Sequence, residues 1–175
     1  MKNDMTWTKT ILTVYRYLER ISGAIDKIIL QSGLNSSNIV GSNYFSNNTY
    51  SVSQRIIDLS ERKVTLINLK VLIETSLSEI GQIEAELLIE KYLNGLKSHE
   101  LAEKFSLSMR TVFRRLINAE KALKNRLQAK GYTDMRLKYM LKDEGWINNI
   151  YNQFASKDNQ EIILSKVYLA KAVSM

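Results

Sequence analysis

Ile11, Tyr15, Leu18, Ser22, Ile25 and Ile29 recur at alternating spacings of four and three. Further along, Ile56, Leu59, Leu66, Ile73, Leu77 and Ile80 fall on a stripe of the same kind. Only a helix brings such positions onto one face, so two long amphipathic helices are the first constraint on the fold. Val14, Ile21 and Ile28 add a second stripe beside the first. Lys63 and Lys70 interrupt the later repeat, which points to an ordinary bundle rather than a long clean coiled coil. The Val-, Leu- and Ile-rich stretch 63–73 also reads as a strand, but the length of the periodic segment favours helix. Proline is absent from all 175 residues, which removes the strongest helix breaker.

The first helix is expected over about 6–32 and the second over about 52–80. Between them, residues 35–53 hold five Asn, six Ser and no charged residue. Ser and Asn compete with helix by bonding the local backbone, so 35–53 reads as a mobile loop. Ser51 and Gln54 have the spacing of a capping box that would start the second helix. Joined by this loop, the two segments predict an antiparallel helical hairpin over 1–80. Gly33, Gly95 and Gly131 fit positions just past helix ends, where positive φ is needed. Gly81 either separates two helices or kinks one.

Several functions are excluded early. The chain has no Cys and one His, which leaves no thiolate or His-rich metal site and no Cys nucleophile. His99 has no evident nucleophile or metal partner. All seven glycines are isolated, so no glycine-rich phosphate loop is present. No apolar run approaches the ~20 residues of a membrane span. Met1–Thr10 lacks the apolar region of a signal peptide. The expectation is a cytoplasmic, non-enzymatic protein with no cofactor, no metal and no membrane partner.

The net charge of +7 favours a polyanionic partner, and its distribution says where. Residues 109–130 hold seven basic residues, Arg110, Arg114, Arg115, Lys121, Lys124, Arg126 and Lys130, against the single acid Glu120. That stretch therefore carries +6, which has the form of an electrostatic footprint. It lies in a pattern of its own. An apolar-patterned helix with Ile83, Leu87, Leu88 and Leu93 ends at Asn94-Gly95. Ser98 stands where an N-cap belongs, and Glu100 in the first turn suits the helix dipole. A short helix to Phe105, the turn Ser106-Leu107 and a second cap at Ser108 follow. The next helix runs from Met109 to about Lys130. This is the spacing of a helix-turn-helix. Small Ala102 allows a close crossing, and Leu101, Phe105, Leu107, Val112 and Leu116 supply the apolar wedge. The N-terminal end of a second helix in this arrangement meets base edges in the major groove. Arg bonds guanine bidentately, and Thr bonds bases or touches a thymine methyl. Lys121, Lys124 and Arg126 lie further along, where phosphates are met.

The stretch from Leu87 to Leu116 resembles region 4 of bacterial sigma-70-type sigma factors. Tyr92, Leu93 and Gly95 close the first helix, Ser98, Glu100 and Ala102 sit in the short one, and Ser108, Thr111, Val112, Arg115 and Leu116 align in the recognition helix. The resemblance covers about 50 residues and runs without gaps. With the hairpin before it, the whole chain is similar to small phage-encoded sigma-like regulators of Gram-positive bacteria. That resemblance implies a sequence-specific DNA-binding transcription regulator of a phage or mobile element. It implies Ser108, Arg110, Thr111, Arg114 and Arg115 as DNA-facing positions, to which Phe113, Asn118 and Lys121 are added from the same helix. The implied partners are double-stranded DNA, RNA polymerase, and a second copy through the N-terminal helices. The chain departs from the family at Ser106, where Gly is common, and at Phe113, where a polar residue is usual. The extension after Tyr132 is long for such regulators, and no region-2-like segment is visible upstream. The alternatives are a protein–protein adaptor reusing the scaffold, or a divergent sigma factor. The expected division is a hairpin over 1–80, the helix-turn-helix over 81–132 and a helical extension over 133–175. In the extension, two short helices broken near Gly145 and Ser156 are expected, with Trp146 docked on the chain's own core.

Overall fold

The computed structural model describes residues 5–37 and 45–157, apart from the side chains of 35–37 and 45–48. Among the described residues all regular structure is helical. Helix α1 spans Thr6–Ser37 and α2 Phe45–Ser78. Then come α3 (Gln82–Leu88), running into a π turn (Ile89–Leu93), α4 (Ser98–Lys104), α5 (Met109–Ala129) and α6 (Asp134–Met140). A last helix, α7, covers 145–157.

Two compact units are present. Tyr15–Thr75 form the hairpin unit, and the described residues before and after them form the larger one. In the hairpin unit α1 and α2 pack as an antiparallel pair. Leu18, Ser22 and Ile25 of α1 are buried, as are Leu66 and Ile73 of α2, on the stripes the spacing marks, and Leu69, which the marked stripe omits, is buried as well. The two lysines that interrupt the α2 stripe are not defects. Lys63 Nζ lies 2.6 Å from the Asp26 carboxylate and Lys70 Nζ 3.1 Å from Glu19, so both reach across to α1. Such half-exposed pairs contribute only about 0–1 kcal/mol each. Their effect is on register, since a slip would leave both charges beside apolar neighbours. Tyr15 Oη donates to Glu74 at 2.5 Å. Burial, that bond and the charges of Glu74 and Glu19 push the Tyr15 phenol up to about 12.

Both long helices exceed the expected bounds. α1 runs to Ser37 and α2 begins at Phe45. Of the loop expected at 35–53, only 38–44 is left, and it lies outside the described residues. Asn and Ser cost a helix only ~0.5 kcal/mol each relative to Ala, too little to stop helices already nucleated by their packed parts. Ser51 is consequently inside α2 rather than at its start, while Gln54 Nε2 donates to Asp58 at 2.9 Å. Gly33 likewise sits inside α1 and does not have positive φ. Gly81 stands in the break between α2 and α3 as the N-cap of α3.

The larger unit begins with the first turns of α1, where Trp7, Ile11, Leu12 and Val14 are buried. The Trp7 ring stacks on Tyr151 of α7 with centroids 4.5 Å apart. Leu87 and Leu88 of α3, Leu101 of α4, and Val112, Leu116, Leu123 and Leu127 of α5 fill its centre. Leu137, Leu141 and Ile147 of the C-terminal extension are fully buried as well. The extension breaks at 141–144, next to Gly145 as expected, but α7 continues through Ser156 without the second expected break. Buried Glu144 sits in that break and accepts a 2.7 Å bond from half-buried Trp146 Nε1.

Candidate nucleic-acid interface

The segment from α3 to α5 is defined by how its helices end. After α5, Gly131 takes φ +80°, Tyr132 N–H donates to Leu127 O at 2.9 Å, and Gly131 N–H donates to Gln128 O at 2.8 Å. This is a Schellman end, in which a left-handed residue lets two N–H groups satisfy two orphaned carbonyls. The π turn closes on a wider version, with Gly95 at φ +78° and Leu96 N–H on Glu90 O at 2.9 Å. α4 ends in the same way without glycine. Leu107 N–H donates to Ala102 O at 2.9 Å and Ser106 N–H to Glu103 O at 3.1 Å, with Ser106 at φ +51°. The turn therefore has the geometry that glycine would supply, at the cost of a left-handed backbone on an L residue.

The start of α4 differs from expectation. Lys97, not Ser98, is the extended residue before the helix, and Ser98 is the first helical one. The cap is made by Glu100, whose carboxylate accepts the Lys97 N–H at 2.5 Å. Lys104 Nζ, in the last turn, lies 2.6 Å from Glu90 of the π turn. Hydrogen bonds from Lys104 and Asn94 hold the Glu90 carboxyl below the usual range. At the start of α5 the expected cap is present. Ser108 is extended, and its Oγ accepts the Thr111 N–H at 3.2 Å. The two hydroxyls lie 2.9 Å apart, so both are engaged in the helix start. α4 and α3 pack on α5.

At 100° per residue, Arg110, Arg114, Ile117 and Lys121 share one line along α5. All four are exposed. Phe113 and Met109 flank that line on one side, and both are exposed. Asn118, exposed, and Thr111, half-buried, flank it on the other. Half-buried Arg115 lies roughly 140° round from Arg110 and does not share the face. Ser108 is exposed at the helix start.

The electrostatics separate the basic residues into two sets. Lys124 Nζ lies 3.0 Å from Asp134, so it is not the spare phosphate contact its position suggested, and Lys130 Nζ lies 2.8 Å from Glu79. By contrast, Arg110, Arg114, Arg115, Lys121 and Arg126 have no carboxylate within ion-pair distance among the described residues. Glu120, the lone acid of the helix, is buried and accepts a 2.6 Å bond from Tyr92 Oη. It therefore presents no acid on the exposed face. Arg126 lines a shallow groove with Glu84, Asn118 and Asn125.

The face also carries an apolar stripe, of which only Phe113 is marked by the sequence. Met109, Phe113 and Ile117 are 42%, 51% and 50% exposed and follow one another at intervals of four. Of the three, the sequence singles out Phe113, as a DNA-facing position and a departure from the family pattern; Met109 and Ile117, one interval of four to either side, are not singled out there. Among the described residues no three His, Asp or Glu side chains come together to hold a metal ion, and no helix is long and apolar enough to cross a membrane. Comparison with family models, with curated proteins and with solved structures finds no match to this chain.

Proposed function

We propose that the chain is a sequence-specific DNA-binding transcription regulator, with α4 and α5 as a helix-turn-helix of the sigma region-4 kind found in phage and mobile-element regulators. The observation that carries this reading is the row Arg110, Arg114 and Lys121: exposed, collinear on α5, and without carboxylate partners. Lys63, Lys70, Lys104, Lys124 and Lys130, by contrast, are held in ion pairs. A row left unpaired on a helix braced by two others is suited to a polyanion. Arg110 and Arg114 lie in the first two turns, where a recognition helix meets guanine edges. Lys121 is assigned to phosphates, and Ser108 and Thr111 to holding the helix start; Arg126 lies roughly 160° round from Arg110 and takes no part. Asn118, beside the row, contacts the rim of the groove.

The test is selection of bound sites from a random duplex pool, followed by salt titration of the winning site. Enrichment of one sequence, with a log–log salt slope of about −0.9 per neutralised phosphate, is the expected result. Weak, sequence-independent and salt-labile binding refutes it. A second reading is favoured by the Met109, Phe113 and Ile117 stripe: an adaptor that binds RNA polymerase or another protein through this face. On that reading Phe113→Ala abolishes partner capture, while Arg114→Ala leaves DNA binding, if any, unchanged.

A further inference from the structure

Two exposed sets of side chains meet on the outer face of α5. Arg110, Arg114 and Lys121 form the row without carboxylate partners, and Met109, Phe113 and Ile117 form the apolar stripe. Each interval of four residues turns the helix by ~40°, so the stripe runs obliquely and reaches the cation row at Ile117. Phe113 directly precedes Arg114, with Cα atoms ~3.8 Å apart, so the two side chains reach neighbouring points on whatever covers them. The other residues of the first two turns offer no such apolar surface. Val112 is buried, and Thr111 is half-buried with its hydroxyl 2.9 Å from that of Ser108.

We infer that the stripe reads thymine: Phe113, with Met109 beside it, packs on the C5-methyl group of a thymine next to the guanine met by Arg114. The inference rests on the DNA-binding reading above and adds to it the base that the apolar residues select. Three properties favour the major groove over a protein as what covers the stripe. The first is charge. A surface that covers Phe113 and Ile117 also covers Arg110, Arg114 and Lys121, so it must bring negative charge and apolar groups together. A duplex does both, with phosphates along the groove walls and the thymine methyl as the apolar group on the floor. The second is size. From Met109 to Ile117 the stripe is ~12 Å long on a helix ~10 Å across, which fits a groove ~12 Å wide. It is far short of the ~800 Å² that each partner of a stable protein complex buries. The third is position. Met109 and Phe113 lie in the first two turns, the part of a recognition helix that meets base edges, and Phe is among the side chains that pack on the thymine methyl. Ile117, a turn further along, shields that contact from water.

Deoxyuridine tests it, because it differs from thymidine by the methyl alone and keeps the same pairing. Each thymine of the duplex selected from the random pool is replaced in turn, and the affinity of the full chain is read by fluorescence anisotropy. At one thymine, beside the guanine whose specificity Arg114→Ala relaxes, the replacement is expected to weaken binding ~4-fold, the value of one methyl returned to water. Phe113→Ala is expected to bind the thymine and deoxyuridine duplexes alike, whereas Lys121→Ala binds both more weakly and keeps the ~4-fold preference. A site that is selected and bound, but in which no deoxyuridine costs affinity, overturns the inference and leaves the DNA-binding reading standing. A preference for thymine that Phe113→Ala retains does the same. If no site is selected, both fall, and the stripe passes to a protein partner. Should Phe113→Ala fail to fold, the unaltered protein decides. With 5-bromodeoxyuridine at the critical position, which puts bromine in the place of the methyl, ultraviolet light is expected to cross-link the duplex to the tryptic peptide 111–114. A cross-link elsewhere, or none, overturns the assignment to Phe113.

Discussion

Replacing Ser106 by Gly should make the protein more stable, although it removes a side chain. Ser106 occupies the left-handed position that ends α4, at φ +51°, and its hydroxyl makes no hydrogen bond among the described residues. Nothing is therefore lost with the side chain except its steric conflict with the backbone. That conflict is worth ~1–2 kcal/mol for an L residue in this region. Glycine takes back part of it, ~0.5–1 kcal/mol, through the greater freedom of the unfolded chain. The net expectation is a gain of ~0.5–1 kcal/mol, or ~1–4 °C in Tm for a chain of this size. Trp7 and Trp146 both belong to the larger unit, so thermal unfolding followed by tryptophan fluorescence reads the unit that holds α4. The reciprocal change is Gly131→Ala, at φ +80° in the equivalent end of α5. Its new Cβ would stand 3.2 Å from the end of the flexible Arg136 side chain, so the cost is mainly in the backbone, ~1–2 kcal/mol destabilising. If Ser106→Gly is neutral or destabilising while Gly131→Ala costs this much, the backbone argument for the α4 end is wrong.

Three other outcomes are expected. Arg114→Ala should cost ~1–3 kcal/mol on the selected site and relax specificity at one position, whereas Lys121→Ala should weaken all sequences alike and lower the salt slope by about one; binding to a panel of single-base variants separates the two. Ser76 Oγ is buried without a hydrogen-bond partner, so Ser76→Ala should stabilise by ~1 kcal/mol in urea unfolding, and a loss of stability would mean the hydroxyl is satisfied. The Tyr15 phenol, raised from 10.0 to about 12, gives stability that is whole below pH 10 and is lost as pH climbs through 12, because the folded state holds the proton longer. Ultraviolet titration of tyrosinate should show one late-ionising tyrosine that disappears in Tyr15→Phe, with the alkaline loss of helix moved accordingly.

The seam of the hairpin was legible because its signal is geometric. Leu18, Ser22 and Ile25 can share a face only in a helix, and they are buried. The bounds of the helices were not, because propensity speaks for each residue separately while a helix propagates as a unit. Asn and Ser at 45–53 join α2 for that reason. The Ser108 cap was readable, since a hydroxyl two or three residues before an N–H has few other uses there. The Lys97 start of α4 was not, because the group that acts there is the side chain of Glu100 reaching backwards. Charge was legible only as a total. Which cations of residues 109–130 stay free depends on Asp134 and Glu79, which lie on other elements, and no count along α5 contains that information.

The stacking of Trp7 on Tyr151 has a bearing on how the chain is made. The rings that meet at 4.5 Å are 144 residues apart in sequence. At ~5–20 residues per second, a ribosome needs roughly 7–30 s to supply the second after the first. The hairpin between Tyr15 and Thr75 is complete long before that, and its contacts are available to the nascent chain. Trp7 must meanwhile wait without its Tyr151 partner until α7 leaves the exit tunnel. Synthesis in two stages is therefore expected, an early hairpin and a late closure, with the interval between them the period in which the newborn protein is most open to chaperones and to aggregation.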